Sequence, residues 1–130
     1  MIDHAGFAVA DYPRSRAFYE QVLAPLGYAV VMEVTERETG PGGYQGCGFG
    51  PPRHPAFWVG TGARPGTGTH VAFVAPSRGA VDAFHATAMA AGATDNGAPG
   101  LRPHYHPDYY AAFVIDPDGN NVEAVCHAPA

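Results

Sequence analysis

His4-Ala5-Gly6-Phe7-Ala8 and His70-Val71-Ala72-Phe73-Val74 are two versions of one stretch, set 66 residues apart. The same offset carries Ala17-Phe18-Tyr19 onto Ala83-Phe84-His85. Ile2 to Val9 alternates as a half-buried strand does, with Phe7 and Val9 on one face and His4, Gly6 and Ala8 on the other. A chain that repeats itself once in this way consists of two equivalent half-domains. Each half opens with an imidazole, so each can present one metal-capable side chain to a shared cleft.

The segments that follow each stretch repeat as well. After the first, Asp11-Tyr12-Pro13 offers an N-cap and a proline for the first helical turn. Phe18, Val22 and Leu26, with Leu23 beside them, form one apolar helix face, and Pro25 and Gly27 stop the helix. Tyr28 to Val34, Tyr44 to Phe49 and Ala56 to Val59 then read as strands. After the second stretch, a strand from Thr69 to Ala75, Ser77 caps a helix with Val81, Phe84, Ala88 and Ala91 on its apolar side, and Gly92 ends it. A weak strand near Ala93 and a strand from Tyr109 to Ile115 come next. Asp116-Pro117-Asp118-Gly119 is a turn, and Asn121 to Cys126 is the last strand. The predicted fold is therefore α+β, built from two βαβββ modules at residues 1–62 and 67–130. The glycine-rich run from Gly60 to Gly66 reads as the linker between them. Pro99 to Asp108 is a long loop rich in His and aromatic residues, a kind that often lines sites.

A length of 130 residues fits one compact domain. The net charge is −5 and all seven basic residues are Arg, so there is no basic stripe for nucleic acid. Charged residues make up only 15% of the chain, which leaves a bland surface open to self-association. No apolar run is long enough for a membrane span, and no charged segment leads into an apolar one at the start. Cys47 and Cys126 form neither a disulfide framework nor a zinc motif and read as small apolar fillers. A cytoplasmic protein is expected.

Glu123 lies mid-strand in Asn121-Val122-Glu123-Ala124-Val125-Cys126, flanked by apolar residues. A carboxylate on an inward strand face is costly to desolvate unless it is paired or bound to a metal. His4 and His70 open equivalent strands, so a pseudo-two-fold axis brings both imidazoles towards it, and Glu123 can join from the last strand. Two neutral imidazoles and one carboxylate leave positions open on a divalent ion, as a catalytic metal requires. Taken singly, each residue also has a plainer reading: a hydrogen-bonded strand histidine, or a glutamate on the solvent face of an edge strand. His104 and His106 flank Tyr105 and share a side of an extended segment. Either serves as a fourth ligand, as an acid or base near neutral pH, or as a solvated loop residue. Tyr109 is the third catalytic candidate. Trp58, Phe49, Tyr44 and Tyr105 suit a substrate wall or ordinary packing, and Arg102 suits an anionic substrate group.

With these residues placed, the chain resembles the vicinal oxygen chelate superfamily, which groups glyoxalase, bleomycin-resistance and extradiol dioxygenase proteins. The resemblance is carried by His4 with Phe7, by Ser15-Arg16-Ala17-Phe18-Tyr19 leading to Leu26-Gly27-Tyr28, and by His70-Val71-Ala72-Phe73. Its most specific part is Asp116-Pro117-Asp118-Gly119-Asn120-Asn121-Val122-Glu123. It covers essentially the whole chain and implies that the two modules wrap a curved sheet around a metal and ligand cleft. Such proteins hold the metal with the first and last strands of each module, which carries over here to His4, His70 and Glu123. One divalent ion per site is implied: Zn, Fe, Mn, Ni or Co.

The fourth ligand place falls at Trp58, whose indole is a donor only and cannot ligate. Members like glyoxalase I use a carboxylate there both as ligand and in proton transfer, so the resemblance stops short of lactoylglutathione lyase activity. The remaining two-His-one-Glu set is similar to that of extradiol dioxygenases, usually longer chains. It is similar also to that of fosfomycin-resistance thiol transferases, which use a lysine this chain lacks. The resemblance thus implies a lyase or isomerase acting on a small molecule that chelates the metal through neighbouring oxygens. A drug- or metabolite-sequestering protein of bleomycin-resistance type is the alternative, as is an extradiol-type dioxygenase or thiol transferase. It implies a homodimer too, in some members with modules exchanged between chains.

Overall fold

Each His-led stretch supplies one outer strand of a separate sheet in a computed structural model that describes all 130 residues. In the first sheet β1 (Ala5–Ala8) runs parallel to β4 (Phe57–Gly60), followed by β3 (Gly46–Gly50) and β2 (Ala29–Val34). In the second, β5 (His70–Val74) runs parallel to β8 (Asn121–Cys126), followed by β7 (Tyr110–Ile115) and β6 (Thr94–Leu101). The fold is α+β with two like modules, as the sequence predicts, and the strand order of one sheet is repeated in the other.

The helices form where the caps lie. Asp11 accepts a hydrogen bond from the Arg14 amide at 3.0 Å to start α1 (Tyr12–Leu23), which carries Pro13 in its first turn. Ser77 does the same for the Ala80 amide at 3.1 Å, starting α3 (Arg78–Ala90). A one-turn helix α2 (Glu36–Thr39) escapes an apolar-periodicity reading because none of its residues is buried. Its signal is the reciprocal Thr35/Glu38 capping box. Leu26, expected on the face of α1, lies beyond its end in a 3-10 turn (Ala24–Leu26). Another departure is β6. The weak strand near Ala93 is an eight-residue strand that runs past Pro99, shifting register twice against β7. An outer strand tolerates a proline and bulges of this kind because its far side has no ladder to maintain.

One face of each sheet packs on its helix, and α1 packs against α3. Phe18, Val22, Leu23, Phe57, Val59, Val81, Phe84, Val114 and Val122 thereby join one apolar core. Burying a side chain such as Leu23 or Phe84, neither of which is exposed, contributes roughly 1.5–3 kcal/mol. At the centre, the fully buried Tyr19 meets Phe57 edge-on, ring centroids 5.0 Å apart. Its hydroxyl donates to Asp116 Oδ2 at 2.5 Å. Asp116 Oδ1 in turn accepts the amides of Asp118 and Asn120, each at 2.9 Å, which shapes the β7–β8 turn. Gly119 completes that turn at φ 91°, a region side chains avoid. Asp118 reaches back to the Ala10 amide at 3.1 Å and the Ser15 hydroxyl at 3.3 Å. A turn of the second sheet is thus fastened to the helix of the first. No helix is long and apolar enough to cross a membrane.

Burial and the Asp116 carboxylate push the Tyr19 phenol well above its ordinary value of 10.0. The folded state therefore favours the neutral phenol. That contribution is complete below the ordinary phenol range and is lost as the pH rises above it. Tyr19→Phe is expected to lower stability by about 1–3 kcal/mol in urea denaturation at neutral pH, since Asp116 keeps its buried oxygen without the hydroxyl. The difference between wild type and Tyr19→Phe should shrink above pH ~10.

Candidate metal centre

Parallel pairing of β5 with β8 sets His70 opposite Asn121 and Ala72 opposite Glu123. Side chains alternate along a strand, so His70 and Glu123 share a face two positions apart. His70 Nδ1 lies 3.0 Å from the Asn121 carbonyl oxygen. A carbonyl only accepts, so Nδ1 carries a hydrogen and donates. The other nitrogen, Nε2, then faces Glu123 Oε2 at 3.0 Å. Two acceptors at that separation repel unless a positive centre lies between them, and only a proton or a metal ion fits there. Glu123 is 2% exposed, whereas the His70 side chain is 46% exposed, so the pair is open to solvent from the imidazole side.

The second carboxylate oxygen is also engaged: Tyr109 Oη donates to Glu123 Oε1 at 2.5 Å. Burial, and then the neighbouring carboxylate, push the Tyr109 phenol up to about 12. Its ring lies against Tyr105 and His127, with centroids 5.0 Å away in each case. His106 meets His127 edge-on, and the His104 ring leans on Tyr105 at a 48° tilt. Phe113 sits parallel to the His70 ring and beneath the Arg102 guanidinium, which is 5.4 Å from its centre.

The sequence candidates divide accordingly. His70, Glu123 and Tyr109 come together, with His104, Tyr105 and His106 on the loop beside them. Arg102 directs its two terminal nitrogens at the carbonyls of Gly100 and Ala98, both at 2.8 Å, so it braces the β6 end rather than facing an anion. His4 does not open a strand as His70 does: it lies just ahead of β1, beside the other sheet, 61% exposed, with Nδ1 2.8 Å from Asp3 Oδ1. That contact holds the Asp3 carboxyl below the usual carboxylate range. Within one chain no three His, Cys, Asp or Glu side chains converge tightly enough to hold an ion.

Register also explains Trp58. Gly6 pairs with Trp58 in the first sheet as Ala72 pairs with Glu123 in the second, so Trp58 stands at the place equivalent to Glu123. Its ring lies across Gly48, where an added Cβ would meet Trp58 Cε2 at 2.8 Å. Trp58 and Tyr44 line a shallow recess of about 210 Å3 with Gly6, Ala8 and Gly60. Phe49 is 1% exposed and belongs to the core, bordering a larger, apolar recess of about 450 Å3 at the seam of the two sheets. Ile2, Tyr28, Phe73 and Val74 bound that recess, and none of the candidate ligands does.

Three contributors are missing from the sequence reading. The Asn121 carbonyl has no signal, since every residue has one. Phe113 looks like any apolar strand residue. His127 carries a signal, an even spacing of four from Glu123, but it follows the last residue of β8, where a strand pattern no longer holds.

The family model for the Glyoxalase/Bleomycin resistance protein/Dioxygenase superfamily matches residues 1–124. The chain belongs to that superfamily. Among solved structures it is similar to a glyoxalase/bleomycin resistance protein from Albidiferax ferrireducens T118, at 28% identity, 98% coverage of both chains and a TM-score of 0.75. A glyoxalase/bleomycin resistance protein/dioxygenase family enzyme from Burkholderia phytofirmans PsJN shares the fold at 21% identity, 98% coverage of both chains and a TM-score of 0.67. Glyoxalase I from Zea mays shares it at 20% identity and a TM-score of 0.69, with 96% of this chain covering 45% of the maize one. No curated protein matches the chain.

His70→Ala is expected to destabilise the metal-free protein by about 1–3 kcal/mol, because it strips a buried carboxylate of a partner. His4→Ala, on an exposed side chain, is expected to stay within about 0.5 kcal/mol of wild type. Parallel urea melts in the presence of a chelator measure both.

Proposed function

We propose that this protein is a metal-dependent small-molecule enzyme of lyase or isomerase type, whose substrate presents two neighbouring oxygens to one divalent ion. The observation that carries the reading is the 3.0 Å approach of His70 Nε2 to Glu123 Oε2 with the far nitrogen already tied to Asn121. Either a proton or a metal ion satisfies that geometry, and imidazole nitrogen with carboxylate oxygen is a donor set for Zn, Fe, Mn, Ni or Co. Metal-binding imidazoles typically donate their other N–H to a carbonyl or carboxylate, as His70 does.

Two ligands from one chain are too few for a tight site, and His4 is the third. We place it in the site from a second copy. Both β1 and β5 are outer strands of their sheets, and the apolar recess at the seam adjoins them. Ile2 and Val74, 77% and 66% exposed, are apolar side chains that a homodimer would cover. His4 of one copy then meets His70 and Glu123 of the other.

When bound, the metal supplies Lewis-acid stabilisation of charge developing on the substrate oxygens. The chain's own groups do the rest. Asn121 fixes the His70 ring so that Nε2 faces the ion. Burial of Glu123 keeps competing water off its oxygens. Trp58, in place of an acid, and Tyr44 offer flat apolar walls to the part of the substrate that does not chelate. His104 and His106, on the loop beside Tyr109, are the imidazoles that could hand a proton to or from the substrate. The free, buried thiols Cys47 and Cys126 suit a reducing compartment, and we assign the protein to the cytoplasm.

The sequestering alternative has one observation in its favour, the Trp58 and Tyr44 recess where an acid would otherwise stand. It requires ligand binding that survives a chelator.

Elemental analysis of untagged protein should find one divalent ion per His70/Glu123 pair, lost in His70→Ala, Glu123→Ala and His4→Ala. Mixing unfolded His4→Ala and His70→Ala chains and refolding them together should restore metal, because a mixed dimer keeps one intact site. No recovery excludes the shared site, and a wild type without stoichiometric metal excludes the metalloenzyme.

A further inference from the structure

We propose that Tyr109 is a positioning residue that holds one oxygen of the Glu123 carboxylate, so that only the other is free to ligate. This rests on the reading of His70 and Glu123 as metal ligands. The two oxygens of a carboxylate are chemically equivalent, and either or both can bind an ion. Here they are made unequal. Oε1 accepts the Tyr109 hydroxyl at 2.5 Å, and Oε2 faces His70 Nε2 at 3.0 Å. A donor on Oε1 engages one of its two lone pairs, drawing charge from that oxygen, and fixes the rotation of the carboxylate plane, leaving Oε2 towards the imidazole.

Tyr109 is itself held on every side. Its amide donates to the His106 carbonyl at 3.1 Å, and its carbonyl accepts the Arg102 amide at 2.7 Å. Its ring is flanked by Tyr105 and His127. Arg102, tied to Ala98 and Gly100, anchors the near end of the loop. The Asp108 amide donates to His106 Nδ1 at 3.1 Å, closing the turn that precedes Tyr109. The aromatic loop thus works as a bracket for one hydroxyl. Tyr105, 64% exposed and without a hydroxyl partner in the protein, makes a control on the same loop.

Cobalt(II) reports both affinity and coordination. The full-length chain, as wild type, Tyr109→Phe and Tyr105→Phe, is titrated with cobalt(II) alone against a chromophoric chelator, and the visible d–d bands are recorded. Tyr109→Phe should bind about tenfold or more weakly. Its bands should weaken and shift as Oε1 becomes available to the ion, while Tyr105→Phe matches wild type. An unchanged cobalt spectrum in Tyr109→Phe overturns the proposal, whatever happens to its thermal stability. If Tyr109→Phe does not fold, a crystal structure of zinc-loaded wild type decides. Zinc on Oε2 with Oε1 still on the Tyr109 hydroxyl supports the role, and zinc on both oxygens overturns it. Wild type that takes up no cobalt overturns the metal reading itself, and the positioning role falls with it.

Discussion

A carboxylate buried in the face of a sheet is the constraint around which this molecule is arranged. Glu123 is almost wholly removed from water, and an unpaired charge in that position would cost several kcal/mol. Both of its oxygens are therefore matched, one by the Tyr109 hydroxyl and one by the His70 ring. The His70 ring is oriented by the Asn121 carbonyl, and Tyr109 by a loop braced through Arg102 and flanked by His127. Much of the second sheet's open face answers to that single acid.

The same constraint separates structure from chemistry in the two halves. Both sheets have the same strand order and the same parallel outer pair, yet the equivalent place carries Glu123 in one and Trp58 in the other. The first sheet has no buried acid to neutralise. It can accept a flat indole over Gly48, and its histidine is left in solvent beside Asp3. A two-fold repeat at the level of the backbone has become a division of labour among side chains: polar and charge-matched on one sheet, flat and apolar on the other.

Helix-to-helix packing joins the halves, reinforced by the Asp116 turn that reaches from the second sheet to Tyr19, Ser15 and Ala10 in the first. That junction leaves the outer edges of β1 and β5 unpaired and an apolar recess between the sheets. The proposed shared site draws on this geometry, because the third imidazole, just ahead of β1, and the His70/Glu123 pair belong to different halves of one chain.

Element order, the caps at Asp11 and Ser77, the turn at Asp116 to Gly119 and the burial of Glu123 were legible in the chain, since each depends on local chemistry or on a repeat visible in the letters. β6 was mostly hidden because Thr94-Asp95-Asn96-Gly97-Ala98-Pro99-Gly100-Leu101 has no strand propensity of its own and is ordered by β7. Arg102 looked like an anion binder because a sequence cannot say which acceptors lie near a long side chain. The residues by themselves determined that two like units exist, with an imidazole opening each and one acid near the end. Only the tertiary structure decided which of those groups meet. Distance between side chains on separate sheets is set by how the helices pack, and no spacing along the chain encodes it.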